Sequence, residues 1–195
     1  GAVNTILFQD SSGFHGDNTD GVGLYRDLTD NHGLVLSDQR ILLLGAGGAA
    51  RGVIAPLLAD QPAELFIANR TAEKADALAG KFRDLGHIHG GGVDQVTGQY
   101  DLIINATAAS LQGETPPIPA SVIGADTACY DMMYGDSDTA FISWAREHGV
   151  QLTMDGLGML VEQAAESFYL WRGERPATLP VIATLRQQTQ PSPSS

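Results

Sequence analysis

The sequence predicts an α/β protein with a doubly wound parallel sheet and helices on both faces, preceded by a strand and a helix outside that sheet. Two observations lead to this prediction. From residue 40 onward, apolar runs of strand length alternate with amphipathic segments of helical period, which is the order that parallel βαβ units require. A glycine-rich turn also joins the first of these runs directly to a helix. The first 31 residues fit neither observation, so we expect them to form a separate unit.

The N-terminal region predicts a strand, a polar turn and a helix, in that order. Residues 2–6 resemble a strand that begins abruptly, residues 16–21 form a polar turn, and residues 23–30 begin a helix. Asp20 lies just before this helix, where a carboxylate commonly caps or stabilises the first turn. Beside a nucleotide-binding fold, the same carboxylate is also a candidate for proton transfer or hydroxyl recognition. The sequence leaves both interpretations open.

The glycine-rich turn is the most informative segment of the chain. An apolar strand over 41–44 runs into Gly45-Ala46-Gly47-Gly48-Ala49-Ala50, and a helical pattern follows directly. Gly45 allows a tight turn, Gly47 leaves room for a pyrophosphate, and Ala50 lets helix and strand pack closely. The amides and the dipole of the helix's first turn favour phosphate. We therefore predict a Rossmann-like domain that binds a dinucleotide.

The end of the second strand indicates which dinucleotide this domain binds. A strand is predicted over 65–68, Asn69-Arg70-Thr71 follows it, and Lys74 lies one helical turn further. An NAD site places an acidic residue here for the ribose 2′-hydroxyl, whereas a guanidinium binds a 2′-phosphate through paired hydrogen bonds. The motif therefore favours NADP. In the alternative interpretation, its Asn and Thr cap the next helix and its Arg is only solvated.

The rest of the chain continues the alternation of strands and helices. Helices are predicted over 72–85, 139–148, 157–171 and 177–187, and strands over 87–89, 101–105, 127–131 and 151–154, with a short turn over 93–96. The expected divisions are an N-terminal unit over 1–31, a nucleotide-binding domain over 32–171, a C-terminal helix over 172–187 and a disordered tail over 188–195.

Composition narrows the class of function. The 11 Lys and Arg against 23 Asp and Glu give a net charge of −12, which argues against a nucleic-acid partner. No 18-residue apolar run, signal peptide or metal-ligand cluster is recognisable, and the one cysteine, Cys129, excludes a disulfide framework. These features predict a cytoplasmic enzyme domain with no metal and no membrane partner.

Six of the basic residues fall in the first half of the nucleotide-binding domain: Arg40, Arg51, Arg70, Lys74, Lys81 and Arg83. Such clustering in an acidic protein can create a local anion site. For Lys81 and Arg83, a solvated helix face is the simpler interpretation.

Seven motifs occur in order along the chain. They are Ala2-Val3-Asn4-Thr5, Asn18-Thr19-Asp20-Gly21, the glycine-rich turn, Asn69-Arg70-Thr71, Asn105-Ala106-Thr107, Asp131-Met132-Met133-Tyr134 and the Asp-Gly-Leu-Gly-Met-Leu-Val-Glu-Gln-Ala-Ala segment over 155–165. In this order they resemble the bacterial shikimate dehydrogenases, over nearly the whole chain. The resemblance implies a substrate domain followed by an NADP-binding domain, with the active site between them. It also implies reduction of 3-dehydroshikimate to shikimate by NADPH, in aromatic amino-acid biosynthesis.

The resemblance assigns roles to individual residues. Asn4, Asp20 and Gln163 match ligands of the substrate's hydroxyls, Asp20 matches the acidic member of the catalytic pair, and Tyr134 matches a residue lining the same groove. The matching cofactor-binding residues are Gly45, Ala46, Gly47, Gly48, Ala49, Asn69, Arg70, Thr71 and Lys74, with Thr107, Met132 and Gly156 beside the ribose and nicotinamide. Alternatively, Met132 and Tyr134 are core residues and Gln163 is a solvated helix residue.

One departure from the family affects the expected activity. The family's catalytic Lys and its carboxylate-binding serines lie upstream of the Ala-Val-Asn-Thr motif, and no Lys precedes Lys74 here. We therefore expect a C-terminal domain with a remnant of the substrate domain, inactive by itself. The alternatives are a module that binds NADP(H) without turnover, and an NAD-using quinate or shikimate dehydrogenase, which Arg70 disfavours.

The same departure predicts self-association. The strand over 3–8 and an apolar stripe on the C-terminal helix, formed by Leu179, Val181, Ile182 and Leu185, are expected to lack cover within the chain. Uncovered strands and apolar patches favour pairing with another chain. We expect this association to involve the first 30 residues.

Overall fold

The computed structural model describes residues 3–9, 13–109, 113–115 and 117–189. The strands are β1 (Thr5–Gln9), β2 (Gly13–Asp17), β3 (Arg40–Leu44), β4 (Glu64–Asn69), β5 (Ile88–Gly92), β6 (Tyr100–Asn105), β7 (Ile123–Asp131) and β8 (Leu152–Asp155). The α-helices are α1 (Asp20–Arg26), α2 (Gly48–Ala59), α3 (Ala72–Ala79), α4 (Ala140–Glu147), α5 (Leu157–Arg172) and α6 (Leu179–Thr189). Shorter helical turns are the π-helical Asp27–Asn31 and the 3₁₀-helical Val93–Gln95 and Ala120–Val122.

Six strands form one parallel sheet in the order β5-β4-β3-β6-β7-β8, which confirms the predicted fold class. The strand order reverses at β3, because β4 lies on one side of it and β6 on the other. In open α/β sheets, ligands bind outside the carboxyl ends of the strands at such a reversal. The glycine-rich turn that follows Leu44 lies at this position.

The central strand β3 shows why its apolar run is continuous. Ile41 and Leu43 pack into the core on one face of the sheet, and Leu42 and Leu44 pack into the core on the other. All four are at most 1% exposed. Successive side chains of a strand point to opposite faces, so a strand covered by helices on both faces needs apolar residues at every position.

Several predicted bounds change in the structure. The helix predicted over 72–85 ends at Ala79, because Gly80, a poor helix former, follows and the chain continues as turns. Strand β7 begins earlier than predicted, at Ile123, with an irregular register against β6. Helix α6 ends at Thr189, and the rest of the predicted disordered tail lies outside the described residues.

The N-terminal unit differs most from the sequence prediction. Residues 13–17, of which 16 and 17 were assigned to a polar turn, form β2, which pairs antiparallel with β1. The strand predicted over 2–6 begins at Thr5. In addition, the Trp171 indole Nε1 of α5 donates a 3.0 Å hydrogen bond to the Ile6 carbonyl. The expectation that this strand lacks cover within the chain was therefore wrong.

The apolar stripe of α6 is also less exposed than expected. Ile182 and Leu185 are partly buried, whereas Leu179 and Val181 remain 62% and 46% exposed. The Arg186 guanidinium of this helix donates two 2.6 Å hydrogen bonds to the carboxylate of Asp155, at the end of β8. A bidentate pair of this kind fixes orientation as well as position. It anchors α6 to the sheet.

A buried carboxylate fastens α1 to the sheet. Asp27 is 1% exposed, and the Tyr130 hydroxyl of β7 donates a 2.7 Å hydrogen bond to it. Burial, followed by the nearby Asp27 charge, raises the pKa of Tyr130 well above its ordinary value, so the phenol remains a donor. The Asn31 amide bridges Asp27 to Glu162 of α5, with distances of 2.9 and 3.2 Å. A Cβ at Gly158 would lie only 2.0 Å from the Asp27 carboxylate, so only glycine fits there.

None of the helices in the described part of the chain is both long and apolar enough to cross a bilayer. Among the same residues, no group of three or more His, Cys, Asp or Glu side chains could hold a metal ion.

Candidate active site

The turn after β3 has the geometry that close approach of a ligand requires. Gly45 has φ +106°, a left-handed conformation, and a Cβ there would lie 3.0 Å from Thr107 Cγ2. Gly47 is the N-cap of α2, and neither Gly47 nor Gly48 has a heavy atom within 4 Å of an added Cβ. Gly45 is thus required by the fold itself. Gly47 and Gly48 instead border open space in front of the helix N-terminus.

One hollow lies over the carboxyl ends of β3, β4 and β6. Its volume is about 500 Å³, and its lining includes the predicted cofactor residues Gly45, Asn69, Arg70 and Thr107. The structure thus brings together residues that are far apart in sequence, because parallel strands deliver their carboxyl ends to one edge of the sheet. The lining also includes Val93, Glu114 and Pro117, which the sequence reasoning did not identify.

A second hollow, of about 390 Å³, lies against the start of α2. It is lined by Ala46, Gly47, Gly48, Arg51, Lys74, Ala77, Leu78 and Lys81. Three of these side chains are cationic and none is acidic, which makes the hollow suitable for an anion. Lys81 was predicted to be a solvated helix residue. It is exposed, but it lies in the turn after α3 and lines the same hollow as Lys74.

The other predicted cations have different positions. Arg40 begins β3, at the opposite end of the sheet, and donates hydrogen bonds of 3.1 and 2.8 Å to Glu64. Arg83 lies on the surface and pairs with Asp76 at 2.7 Å. Of the six clustered cations, four therefore line the two hollows, and two are ion-paired elsewhere.

The Asn-Arg-Thr motif does not cap α3 through its side chains. Thr71 occupies the N-cap position of α3 but makes no side-chain capping hydrogen bond. The Asn69 amide donates instead to the Thr71 carbonyl at 2.9 Å, which closes the turn locally. The alternative interpretation correctly placed Thr71 at the N-cap of α3, but the side-chain capping hydrogen bond that it implied is not formed. Arg70 lies in the wall of the first hollow.

The carboxyl ends of β6 and β7 are joined by buried polar groups. Asn105 accepts from the Thr107 hydroxyl at 2.7 Å and from the Thr107 amide at 3.1 Å, and it donates to Asp131 at 3.2 Å. Asp131 also accepts from the Thr139 hydroxyl at 2.6 Å. These bonds fix the direction of Thr107 toward the first hollow. Sequence reasoning did not identify Asn105, Asp131 or Thr139 as the groups that orient it.

Met132 and Gly156 meet through their backbones. A Cβ at Gly156 would lie 2.2 Å from the Met132 carbonyl oxygen, and the Gly156 amide donates to the Met133 carbonyl at 3.0 Å. The Met132 side chain is 7% exposed and belongs to the core, as the alternative interpretation held. Glycine at 156 is therefore required by its close contact with the residue that follows β7.

The predicted substrate residues of three separate segments converge beside α1. The Asn4 amide donates a 2.7 Å hydrogen bond to Asp20 and lies 3.5 Å from the Gln163 side-chain oxygen. Asp20 is the first residue of α1, and Thr19 precedes it as the N-cap. The Thr19 hydroxyl lies 3.1 Å from Asn4 Oδ1 and 3.1 Å from Gln163 Oε1. The three side chains thus form one polar cluster, and Gln163 is not an isolated surface residue.

The buried hydroxyls of Thr5 and Ser167 form hydrogen bonds to this cluster. Ser167 Oγ lies 2.7 Å from the Thr5 hydroxyl and 3.1 Å from the Thr19 hydroxyl. Thr5 also donates to Asn4 Oδ1 at 3.0 Å. Sequence reasoning missed Ser167, although its position four residues after Gln163 places both on the same face of α5.

Tyr134 is not part of the polar cluster. It follows β7 and is 44% exposed, which excludes the interpretation that it is a core residue. Among the hydrogen bonds of the described residues, none joins Tyr134 to Asn4, Asp20 or Gln163.

Two family models match parts of this chain. Residues 27–113 match the family model for shikimate / quinate 5-dehydrogenase, and residues 156–186 match that for the shikimate 5′-dehydrogenase C-terminal domain. The shikimate dehydrogenase (NADP(+)) of Aeromonas salmonicida is 59% identical over 187 residues, covering 96% of this chain and 68% of that protein.

Two solved structures are similar over almost all of this chain. An Ael1 enzyme from Pseudomonas putida has a TM-score of 0.86 and 42% identity, covering 97% of this chain and 68% of the other. The shikimate 5-dehydrogenase of Thermus thermophilus, crystallised with NADP(H) and shikimate, has a TM-score of 0.78 and 31% identity, covering 95% of this chain and 67% of the other.

Proposed function

Because this chain belongs to the shikimate dehydrogenase family, we propose that it binds NADP(H) and supplies the cofactor half of a site that interconverts 3-dehydroshikimate and shikimate. The observation that carries the proposal is the close packing of α1, which begins at Asp20, against α2, which begins at the glycine-rich turn: a Cβ at Gly21 would lie 2.4 Å from the Gly52 carbonyl oxygen. The glycine-rich turn and the two hollows beside it form a cradle for a dinucleotide. The second of these, lined by Arg51, Lys74 and Lys81, is the cationic hollow. Asn4, Asp20 and Gln163 form a polar cluster suited to a polyhydroxylated ring.

The residues present fit NADP. Open space in front of Gly47 and Gly48 leaves room for a pyrophosphate at the start of α2. Arg70 and Lys74 stand where an acidic residue would select NAD, and they favour a ribose 2′-phosphate. When bound, NADPH supplies the hydride for carbonyl reduction. The NAD-using quinate or shikimate dehydrogenase remains the alternative within the family, and Arg70 disfavours it.

We assign substrate binding to Asn4, Asp20 and Gln163, and the acidic part of proton transfer to Asp20. The Asn4 amide fixes one oxygen of the Asp20 carboxylate, so this group has a defined direction. Reduction of a carbonyl places negative charge on oxygen, which a carboxylate alone opposes and a neighbouring cation stabilises. The first lysine of the chain, Lys74, lies in the cationic hollow instead.

The 195-residue polypeptide tested by itself is therefore expected to bind the cofactor without appreciable turnover. Lack of one proton-transfer partner lowers a rate by about 10²–10⁴-fold. Binding without appreciable turnover would correspond to the second function, an NADP(H)-binding module.

One experiment separates the two functions. NADPH formation from shikimate and NADP+ is measured with the purified chain and with Asp20→Asn, and cofactor affinity is measured by calorimetry in parallel. Binding without turnover supports the module. Rapid turnover that Asp20→Asn abolishes would instead make Asp20 sufficient for catalysis, and the lack of any NADP binding would refute both.

We also propose that the chain self-associates through its N-terminal hairpin, although not for the reason first expected. The strand has a partner, but Phe8 and Phe14 lie directly opposite each other and are 88% and 76% exposed. Together with Val3 and Ile6 they form an apolar surface that a second copy can cover. Light scattering of the chain and of the double variant Phe8→Ser, Phe14→Ser tests this, and equal masses for both would refute it.

A cytosolic location is proposed too, because the buried free thiol of Cys129 suits a reducing compartment.

A further inference from the structure

Two histidines form a close pair at the edge of the sheet, away from both hollows. His87 directly precedes β5 and His89 is its second residue, and both are exposed. Ile88 between them is 2% exposed, so it faces the core and the two imidazoles share the outer face. The Nε2 atoms of the two rings lie 3.0 Å apart, with the ring planes at 87°.

The surroundings of His87 determine its tautomer. Nδ1 lies 2.6 Å from the Ala63 carbonyl oxygen, and a carbonyl can only accept a hydrogen bond. Nδ1 therefore carries the hydrogen, and Nε2 of the neutral ring has a lone pair that accepts from His89 Nε2 at 3.0 Å. The His87 backbone carbonyl also accepts from the Leu65 amide at 2.9 Å, so the residue is held at both its main chain and its side chain. A carbonyl that orients one ring nitrogen and leaves the other unprotonated is the usual support for a metal-binding histidine.

We propose that His87 and His89 form a bidentate site for a divalent transition-metal ion of the copper(II) or nickel(II) class. To bind, His89 passes to its Nδ1–H tautomer and turns its ring, so that its Nε2 lone pair also faces the ion. Each neutral ring keeps one hydrogen, and no electron is transferred. Solvent completes the coordination, because the described residues supply no third His, Cys, Asp or Glu ligand.

The chemistry of the two ligands favours this class of metal. Imidazole nitrogens suit copper(II) and nickel(II), and copper(II) binds most strongly to a given set of nitrogen ligands among the first-row divalent ions. The 3.0 Å separation of the two Nε2 atoms shows that the rings are close enough to share one ion once His89 has turned.

The chain contains a matched control for the pair. His148 Nδ1 lies 2.8 Å from the Trp144 carbonyl, so this ring has the same support as His87, and it is also exposed. The His148 ring packs against Trp144, however, and not against a second imidazole. A site that needs two imidazoles should therefore depend on His87 and His89 and not on His148.

The experiment is a copper(II) titration of the chain, followed by electron paramagnetic resonance, for wild type and for His87→Ala, His89→Ala and His148→Ala. We expect one equivalent with coupling to two imidazole nitrogens, and a loss of affinity of about tenfold or more in each of the first two variants. His148→Ala should match wild type. Unchanged binding in His87→Ala or His89→Ala, or an equal loss in His148→Ala, would overturn the proposal.

Two further measurements keep the result interpretable. Thermal unfolding shows that each variant is folded, which their surface positions favour. NADP affinity with and without copper(II) separates this site from the proposed function, because His89 pairs with Phe66 near the start of β4, whereas Asn69 at its carboxyl end pairs with Gly92. Copper binding that persists while NADP fails to bind would refute only the proposed function.

Discussion

The Asn4 amide nitrogen lies 2.7 Å from a carboxylate oxygen of Asp20, and its side-chain oxygen accepts a 2.9 Å hydrogen bond from the Thr19 amide. Asn4 thus uses both ends of its side chain to hold the beginning of α1. The residue that precedes β1 and the first residue of α1 are thereby fixed against each other before any ligand arrives. This contact, with Gln163 beside it, sets the shape of the polar cluster.

The Thr19 hydroxyl is shared by Asn4, Gln163 and Ser167, so its removal should destabilise the chain. Thr19→Val keeps the shape and leaves one buried and two part-buried oxygens without this partner, at a cost of about 1–3 kcal/mol in the free energy of unfolding. Denaturant unfolding measures it. Thr184→Val is the control, because that exposed hydroxyl bonds only to its own helix at Pro180. An equal, small effect of both substitutions would contradict the role given to Thr19.

Two glycines of the same turn should respond differently to alanine. Gly45→Ala places a side chain at φ +106° and against Thr107, so we expect a loss of stability of about 1–3 kcal/mol. Gly47→Ala meets nothing within 4 Å and should cost less than about 1 kcal/mol. The methyl group added by Gly47→Ala would nevertheless enter the space that a pyrophosphate needs, and NADP affinity should fall by about tenfold or more. Thermal unfolding and calorimetric titration of both variants test this pair, and full NADP affinity in Gly47→Ala would refute it.

Arg70 should decide the preference between the two dinucleotides. Arg70→Ala is expected to weaken NADP binding by about 1.5–3 kcal/mol, roughly ten- to hundredfold, and to leave NAD binding nearly unchanged. Arg83→Ala removes the same charge from an exposed pair with Asp76 and should affect neither cofactor. Calorimetry with NADP and NAD gives both affinities. Loss of NADP affinity in both variants would show that only the net charge matters.

The buried thiol of Cys129 predicts how stability changes at high pH. Burial raises the pKa of this thiol from 9.0 to about 12. Above about pH 9 the unfolded chain gives up the thiol proton while the folded chain keeps it, so the free energy of unfolding falls as the pH rises toward about 12. Unfolding at about pH 8 and at about pH 10 measures the slope. In Cys129→Ala the slope should be smaller, and an unchanged slope would assign it to other groups, such as the tyrosines.

The elements that sequence reasoning predicted correctly are those with local causes. The apolar run of β3, the turn at Gly45 and the start of α3 after Thr71 each depend on neighbouring residues. Strand β2 was missed because the glycines in its sequence, Gly13 and Gly16, suggest a turn. Its strand pairing comes from the β1 hairpin.

The supporting groups of the site have long-range causes and could not be predicted in the same way. The contact between Thr5 and Ser167 joins residues 162 positions apart. Lys81 reaches the cationic hollow only because α3 packs beside the turn after β3. The burial of Asp27 depends on Tyr130 of a distant strand. None of these contacts has a signature in the neighbouring sequence.

The hydrogen bond between Tyr130 and Asp27 restricts the movement of α1 relative to the sheet. Helix α1 begins at Asp20 and ends one residue before Asp27, so a displacement of Asp20 against the sheet would have to break a buried, charge-assisted hydrogen bond. Asp20 is therefore held in place relative to the sheet. A ligand that approaches the polar cluster meets a carboxylate that is already in position, so less conformational entropy is lost from this chain on binding.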